Sequence, residues 1–224
     1  MDKLVIEGGV PLRGTIRVVG AKNAALPMLC SALLREDSVT LHNVPRLRDK
    51  NTTNALLNVL GCPSGFTDDE GHSVRVEQNG KYTEAPYELV KTMRASVLVL
   101  GPLLARLGKA RVALPGGCAI GARPVEQHTK ALEKMGASLE LESGYIVGTC
   151  KKLKGADITF DFPTVGGTEH LMMSAALPEG DTVLRNWAPE PQAKDLVNSP
   201  ITCGAMQTGQ ATATIHLQAA RMLR

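Results

Sequence analysis

The segment Leu33-Leu34-Arg35-Glu36-Asp37-Ser38-Val39-Thr40-Leu41-His42-Asn43 recurs downstream as Ala176-Leu177-Pro178-Glu179-Gly180-Asp181-Thr182-Val183-Leu184-Arg185-Asn186. The same offset carries Leu60-Gly61-Cys62 onto Cys203-Gly204-Ala205, and Lys134-Met135-Gly136-Ala137 falls between them as a middle copy. Three copies of roughly 70 residues therefore fill the chain, and a period of that kind decides the architecture before any single residue does. Each copy reads as helix, strand, second helix closed by glycine, and further strand. In the first, residues 21–34 are predicted helical, 38–43 a strand and 51–60 a helix, with Gly61 where a left-handed cap costs least. The middle copy predicts helix over 87–107, strand over 110–114 and helix over 125–135 capped by Gly136. Leu139-Glu140-Leu141-Glu142 and Val74-Arg75-Val76-Glu77 alternate at period two, which predicts one buried and one solvated side. A unit this small cannot bury two helices alone. Three units with helices inward and sheets outward make a compact pseudo-threefold α/β domain. Pro200 lies inside the run Asp195 to Cys203 and predicts a kinked or shortened helix in the third copy.

Composition narrows the function. One Trp, three Tyr and three Phe leave almost no material for stacking nucleic-acid bases. A balance of 25 Lys+Arg against 22 Asp+Glu, without a long run of one sign, suits small anionic ligands better than a nucleic-acid track. Neither a secretory leader nor a stretch of ~20 apolar residues is visible, so no membrane association is expected. Cys30, Cys62, Cys118, Cys150 and Cys203 are odd in number and lack metal spacing, and the five histidines are scattered. No disulfide framework, metal or cofactor is expected, and a reducing cytoplasm is the expected compartment. Neither Gly-x-x-x-x-Gly-Lys-Ser/Thr nor Gly-x-Gly-x-x-Gly is present, which argues against ATP and NAD chemistry.

Three junctions carry candidate chemistry. In Gly20-Ala21-Lys22-Asn23-Ala24-Ala25, Lys22 and Asn23 stand at a helix start, where free N–H groups and an ammonium suit a phosphate, although a solvated lysine fits as well. In Leu114-Pro115-Gly116-Gly117-Cys118-Ala119-Ile120-Gly121-Ala122-Arg123-Pro124, Cys118 sits in a glycine-rich loop and is either reactive or inert. Arg123 would favour its thiolate or clamp an anion by its planar fork. Asp161-Phe162-Pro163-Thr164-Val165-Gly166-Gly167-Thr168 is a turn feeding a helix and offers hydroxyl and N–H donors. Arg94 heads an apolar helix, and a snorkelling surface charge accounts for it equally well.

Together, residues 20–27, Leu41-His42-Asn43-Val44-Pro45, Lys91-Thr92-Met93-Arg94-Ala95-Ser96 and the Cys118 loop resemble the UDP-N-acetylglucosamine enolpyruvyl transferases. The loop is the most specific of these motifs, and the similarity runs over essentially the whole chain. The resemblance implies one half of an inside-out α/β barrel, three repeated units per domain, with residues 1–20 as a strand segment belonging to a second domain and 21–224 as the catalytic-loop domain. It implies transfer of the enolpyruvyl group of phosphoenolpyruvate to the 3-hydroxyl of UDP-N-acetylglucosamine with release of phosphate, which opens peptidoglycan synthesis. Cys118 would be the acid toward the methylene carbon, with Lys22 and Arg123 on the phosphate and Arg94 close by. Asn23, Arg123, Pro124, Val125, Glu126, Gln127, Thr164, Val165 and Gly166 would contact the nucleotide sugar. Glu126-Gln127 stands where the family usually has Asp-Leu, Thr164 and Gly167 replace the common Ser and Ala, His170 replaces a frequent Asn and Gln192 a Glu. The aspartate base and the arginines of the family's other domain have no counterpart here, which makes a binding-only fragment the alternative. Apolar surface meant for that other domain predicts self-association. The sister shikimate-phosphate transferases, which lack the loop cysteine, and the RNA-phosphate cyclases fit less well.

Overall fold

The computed structural model of the chain describes residues 3–68, 72–115, 125–199, 207–208 and 212–219. The first unit opens with α1 (Lys22–Ser31), which tightens into a 3-10 turn over Ala32–Leu34 and leads to β1 (Val39–Leu41), α2 (Arg48–Val59), β2 (Ser64–Phe66) and β3 (Val74–Val76). The second unit runs through β4 (Glu84–Ala85), the short α3 (Tyr87–Val90), a 3-10 stretch Arg94–Val99, α4 (Leu100–Leu107), β5 (Lys109–Ala113), α5 (Glu126–Lys134), β6 (Ser138–Glu142) and β7 (Tyr145–Thr149). The third contains β8 (Asp157–Thr159), α6 (Val165–Ser174), β9 (Asp181–Arg185), α7 (Pro191–Asn198), β10 (Gln207–Thr208) and β11 (Thr214–Gln218).

The repetition is exact in topology for two of the three sheets. The second is ordered β4-β5-β7-β6 and the third β8-β9-β11-β10, each with one parallel pair followed by two antiparallel ones. The first sheet is ordered β1-β3-β2 and is wholly antiparallel, so among the described residues β1 has a neighbour on one side only. Hydrogen bonding repeats as well. Gly61 and Gly136 both take positive φ after the second helix of their unit. In both, the next N–H reaches back into the helix, Cys62 to the Leu57 carbonyl and Ala137 to the Leu132 carbonyl. Asn43 and Asn186, paired by the sequence repeat, are both left-handed.

Helices pack inside and sheets outside, as the repetition predicts. α1, α4 with its 3-10 lead-in, and α6 meet one another at the centre, while α2, α5 and α7 flank them. Leu29, Leu56, Leu57, Leu100, Leu104, Leu132, Leu171 and Leu196 are fully buried there, as are Met135 and Met173. Each contributes roughly 1.5–3 kcal/mol by removal from water. Alternation is clean in β3, whose Val74 and Val76 face the helices and whose Arg75 faces out.

Several expectations are corrected. Residues 87–107 form three pieces rather than one helix, because Met93 adopts an extended conformation and interrupts the ladder. β6 lies at a sheet edge, where its alternation buries little: Leu139 is half-buried and Leu141 is 67% exposed. In the third unit α7 starts earlier than predicted, with Pro191 in its first turn, and it stops at Asn198, in keeping with the shortening expected there; Pro200 itself lies outside the described residues. Ser199 is extended, the conformation a following proline requires. Residues 3–19 carry no regular structure and are exposed throughout, with Leu4, Ile6, Leu12, Ile16 and Val18 more than four-fifths in solvent.

Candidate active-site cavity

The first helices of the units end at one side of the bundle, and their N-termini frame a cavity of about 610 Å³. Asn23 comes from the first turn of α1, Arg94 from the 3-10 stretch, and Thr164, Val165 and Gly166 from the start of α6. These five sequence-predicted residues, scattered over three units, thus share one wall system. α1 begins after Ala21 with no side-chain cap, so the N–H groups of Lys22, Asn23 and Ala24 lack helical partners. At α6 the Thr164 hydroxyl accepts from Gly167 N–H and the Thr164 carbonyl accepts from Thr168 N–H. Val165 and Gly166 N–H are left as the donors of that first turn, a setting suited to anionic oxygen.

Lys22 stands just outside this lining. Its ammonium is 3.0 Å from the Asp49 carboxylate at the start of α2, a half-exposed pair. Val125 caps α5 and Glu126 is exposed in its first turn. Gln127 is buried, and its amide holds the neighbouring turn: Nε2 donates to the Phe162 carbonyl at 3.3 Å and Oε1 accepts from Asp161 N–H at 2.8 Å. The side chain so placed shapes the cavity rim through Phe162. Cys118, Arg123 and Pro124 lie outside the described residues. Of the other cysteines, Cys30 and Cys62 are buried and Cys150 half-buried. Burial pushes the Cys30 thiol up to about 12, with nearby Glu169 adding to the effect, and burial raises Cys62 and Cys150 as well. All three are therefore protonated packing groups at neutral pH.

His128, Glu169 and Gln192 also line the cavity and were not singled out as site residues from sequence. His128 shared its buried helical stripe with Ala131, Leu132 and Met135, a spacing that marked it as inward-facing. Burial, with Arg94 adding to it, lowers its pKa to about 4, and burial takes His170 behind it well below the ordinary histidine value. Glu169 is raised to about 8 by burial and by the Glu190 carboxylate, and Glu169 Oε1 and Glu190 Oε2 are buried without hydrogen-bond partners among the described residues. At neutral pH His128 and Glu169 in the floor are consequently neutral, and among the described lining residues Arg94 is the basic one. Among the described residues no three His, Cys, Asp or Glu side chains are grouped to hold a metal ion, and no helix is long and apolar enough to cross a membrane.

A three-unit α/β domain with helix N-termini converging on an anion-suited cavity defines the enolpyruvyl transferase fold. The crystal structure of the enolpyruvyl transferase NikO from Streptomyces tendae superposes with a TM-score of 0.80 at 21% identity, covering 97% of this chain and 50% of that one. The model of the EPSP synthase (3-phosphoshikimate 1-carboxyvinyltransferase) family matches residues 6–217, and the chain belongs to that family. It is 65% identical over 218 residues to the UDP-N-acetylglucosamine 1-carboxyvinyltransferase of Nitratidesulfovibrio vulgaris, covering 97% of this chain and 52% of the relative. To the protein of the same name from Oleidesulfovibrio alaskensis it is 61% identical, covering 100% and 53%. The chain thus spans about half the length of the curated relatives it matches.

Proposed function

We propose that this chain is the cysteine-bearing domain of an enzyme that transfers the enolpyruvyl group of phosphoenolpyruvate to the 3-hydroxyl of UDP-N-acetylglucosamine, releasing phosphate. The observation that carries the reading is the gathering of Asn23, Arg94, Thr164, Val165 and Gly166 around one cavity, since these positions come from three separate units; Asn23, Thr164, Val165 and Gly166 match the family's nucleotide-sugar contacts, and Arg94 lies close to its phosphate-holding groups. The 65% identity to a relative bearing that name supports the same substrates. Lys22 and Arg123 would hold the phosphate of phosphoenolpyruvate, with Lys22 exchanging its Asp49 partner for it. Cys118 would protonate the methylene carbon. Pro124, Val125, Glu126 and Gln127 would complete the nucleotide-sugar contacts. Fixed cations and helix N-termini would stabilise an anionic transition state without reorganising. The reaction belongs to the cytoplasm and to cell-wall synthesis.

The reading assigns residues 21–224 to the three-unit domain and residues 1–20 to a second one. The bare apolar side chains of residues 3–19 support it, because they have no partner surface among the described residues. The same surface favours self-association when the domain is alone. Coverage of only half the relatives favours a second reading, a domain that binds the nucleotide sugar without turnover. Calorimetric titration with UDP-N-acetylglucosamine, followed by phosphate-release measurements with both substrates, tests both. Heat without phosphate release is expected for this chain alone, with release appearing when the C-terminal half of the N. vulgaris relative is added. Absence of heat in both settings would refute the proposal.

A further inference from the structure

His128 and His170 form a buried pair that the transfer chemistry leaves unused. Their rings lie 5.0 Å apart, with His128 Nδ1 and His170 Nδ1 at 3.0 Å. The backbone N–H of Gly101, at the start of α4, is 2.7 Å from His170 Nε2. An amide N–H can only donate, so His170 Nε2 must be a lone pair and its proton must sit on Nδ1. That proton points at His128 Nδ1, which must then accept, leaving the proton of His128 on Nε2. Each ring has one proton and each is neutral in this arrangement. A second proton on His128 would set two N–H groups face to face across 3.0 Å, and one on His170 would set its Nε2–H against the Gly101 N–H across 2.7 Å.

His128 lines the cavity with its ring, whose Nδ1 is turned to His170. Its Cε1, bonded to Nε2, lies 3.8 Å from where a Cβ on Gly166 would stand, and no acceptor for Nε2 appears among the described residues. We infer that the chain of hydrogen bonds from Gly101 through His170 fixes His128 as a donor-only group at the cavity wall, where its Nε2–H recognises an acceptor oxygen of a nucleotide sugar. His170 is then a positioning residue that never touches ligand. A freely rotating or freely tautomerising imidazole would present acceptor and donor alternately, whereas this one rejects ligands that place a donor beside Gly166.

The ligand half of this inference rests on the nucleotide-sugar reading of the cavity; the proton placement does not. Nitrogen NMR of the 15N-histidine-labelled chain without ligand decides the placement. His128 is expected to show a protonated Nε2 and an unprotonated Nδ1, and His170 the reverse. A His128 protonated on Nδ1, or a ring exchanging between both forms, overturns the inference whether or not anything binds. His170→Asn keeps a donor facing His128 and is expected to keep its Nε2–H form, while His170→Phe removes the donor and should release the ring into both forms.

Titration with UDP-N-acetylglucosamine then tests recognition. Binding is expected to weaken about tenfold in His128→Phe, to stay near wild type in His170→Asn, and to fall between in His170→Phe. Far-ultraviolet circular dichroism shows whether each variant is folded, and the wild-type nitrogen shifts stand even if one variant is not. Wild-type binding with no loss in a folded His128→Phe sinks the recognition claim and leaves the functional reading intact. A wild-type chain that binds no nucleotide sugar, alone or with the added C-terminal half, sinks both.

Discussion

Asn43 and Asn186 show how a side chain and a backbone requirement can be satisfied by one residue. Both have positive φ, where a side chain other than Asn or Asp costs roughly 1–2 kcal/mol. Each also fastens the strand end. Asn43 Oδ1 accepts from Gly20 N–H at 3.3 Å, and Asn186 Nδ2 donates to the Phe160 carbonyl at 3.0 Å. Asn186→Ala is expected to lose about 2 kcal/mol, a drop of roughly 4–8 °C in Tm, while Asn186→Gly should lose about half as much because only the hydrogen bond goes. Equal melting points for the two variants would mean that the left-handed backbone carries no strain. The repeated asparagine was visible as the last letter of the sequence repeat, but its reason was not, since φ leaves no mark in composition.

Titration at the cavity floor gives a second expectation at the same scale. His128 and His170 have folded pKa values below the unfolded 6.5, so the unfolded chain binds more protons and stability is lost as pH falls from about 6.5 through about 4. Glu169 is the opposite case. Its folded pKa of about 8 exceeds the unfolded value, so the contribution is complete below about 4.5 and is lost as pH rises through about 8. Arg94 and His128 face the first pair and Glu190 faces the second group, and all three push in the direction stated. The urea midpoint between pH 5 and 9 should therefore fall on both flanks, and Glu169→Gln should flatten the alkaline one. A midpoint still climbing at pH 9 in the wild type would contradict the assignment to Glu169.

At the scale of elements, α4 and α6 approach each other closely at Gly101. A Cβ on Gly101 would collide with Ser174 Oγ and come within 2.7 Å of His170 Nε2, so glycine is needed for the crossing itself. Gly101→Ala is expected to cost about 1–3 kcal/mol by overpacking and to shift the histidine nitrogen signals, because α4 must move away from its acceptor. A melting point unchanged from wild type would show that the two helices separate without penalty. The C-terminal part of the helix predicted over 87–107 is present, and it is buried from Leu100 to Leu104. The break at Met93 inside the second unit is not legible, because no Gly or Pro marks it. Likewise Gln127 was legible as a residue beside the cavity loop, while its clamp on the Asp161–Phe162 turn depends on α5 and that turn meeting across the fold. Glu169 was hidden for the opposite reason: it sits in a helix buried on almost every side, where period gives no direction.

For the whole molecule, the repeat was enough to place helices inside and sheets outside, because burying two helices per copy in three copies allows few arrangements. It was not enough to foresee that the first sheet would have three strands and the others four. Residues 3–19 are exposed and carry no regular structure, so a chain starting at Gly20 should melt within about 2 °C of the full one and sediment with less association. A melting point lowered by more than that would show that the segment packs on the domain after all.

The one-sided pairing of β1 bears on how such a polypeptide must be handled in the laboratory. Among the described residues its outer rim offers a row of peptide groups to any extended chain that arrives, and the exposed apolar segment 3–19 of a neighbouring molecule is one such chain. Concentrated preparations are then expected to grow by head-to-rim addition, without a closed end point, unless a complementary polypeptide reaches that rim first.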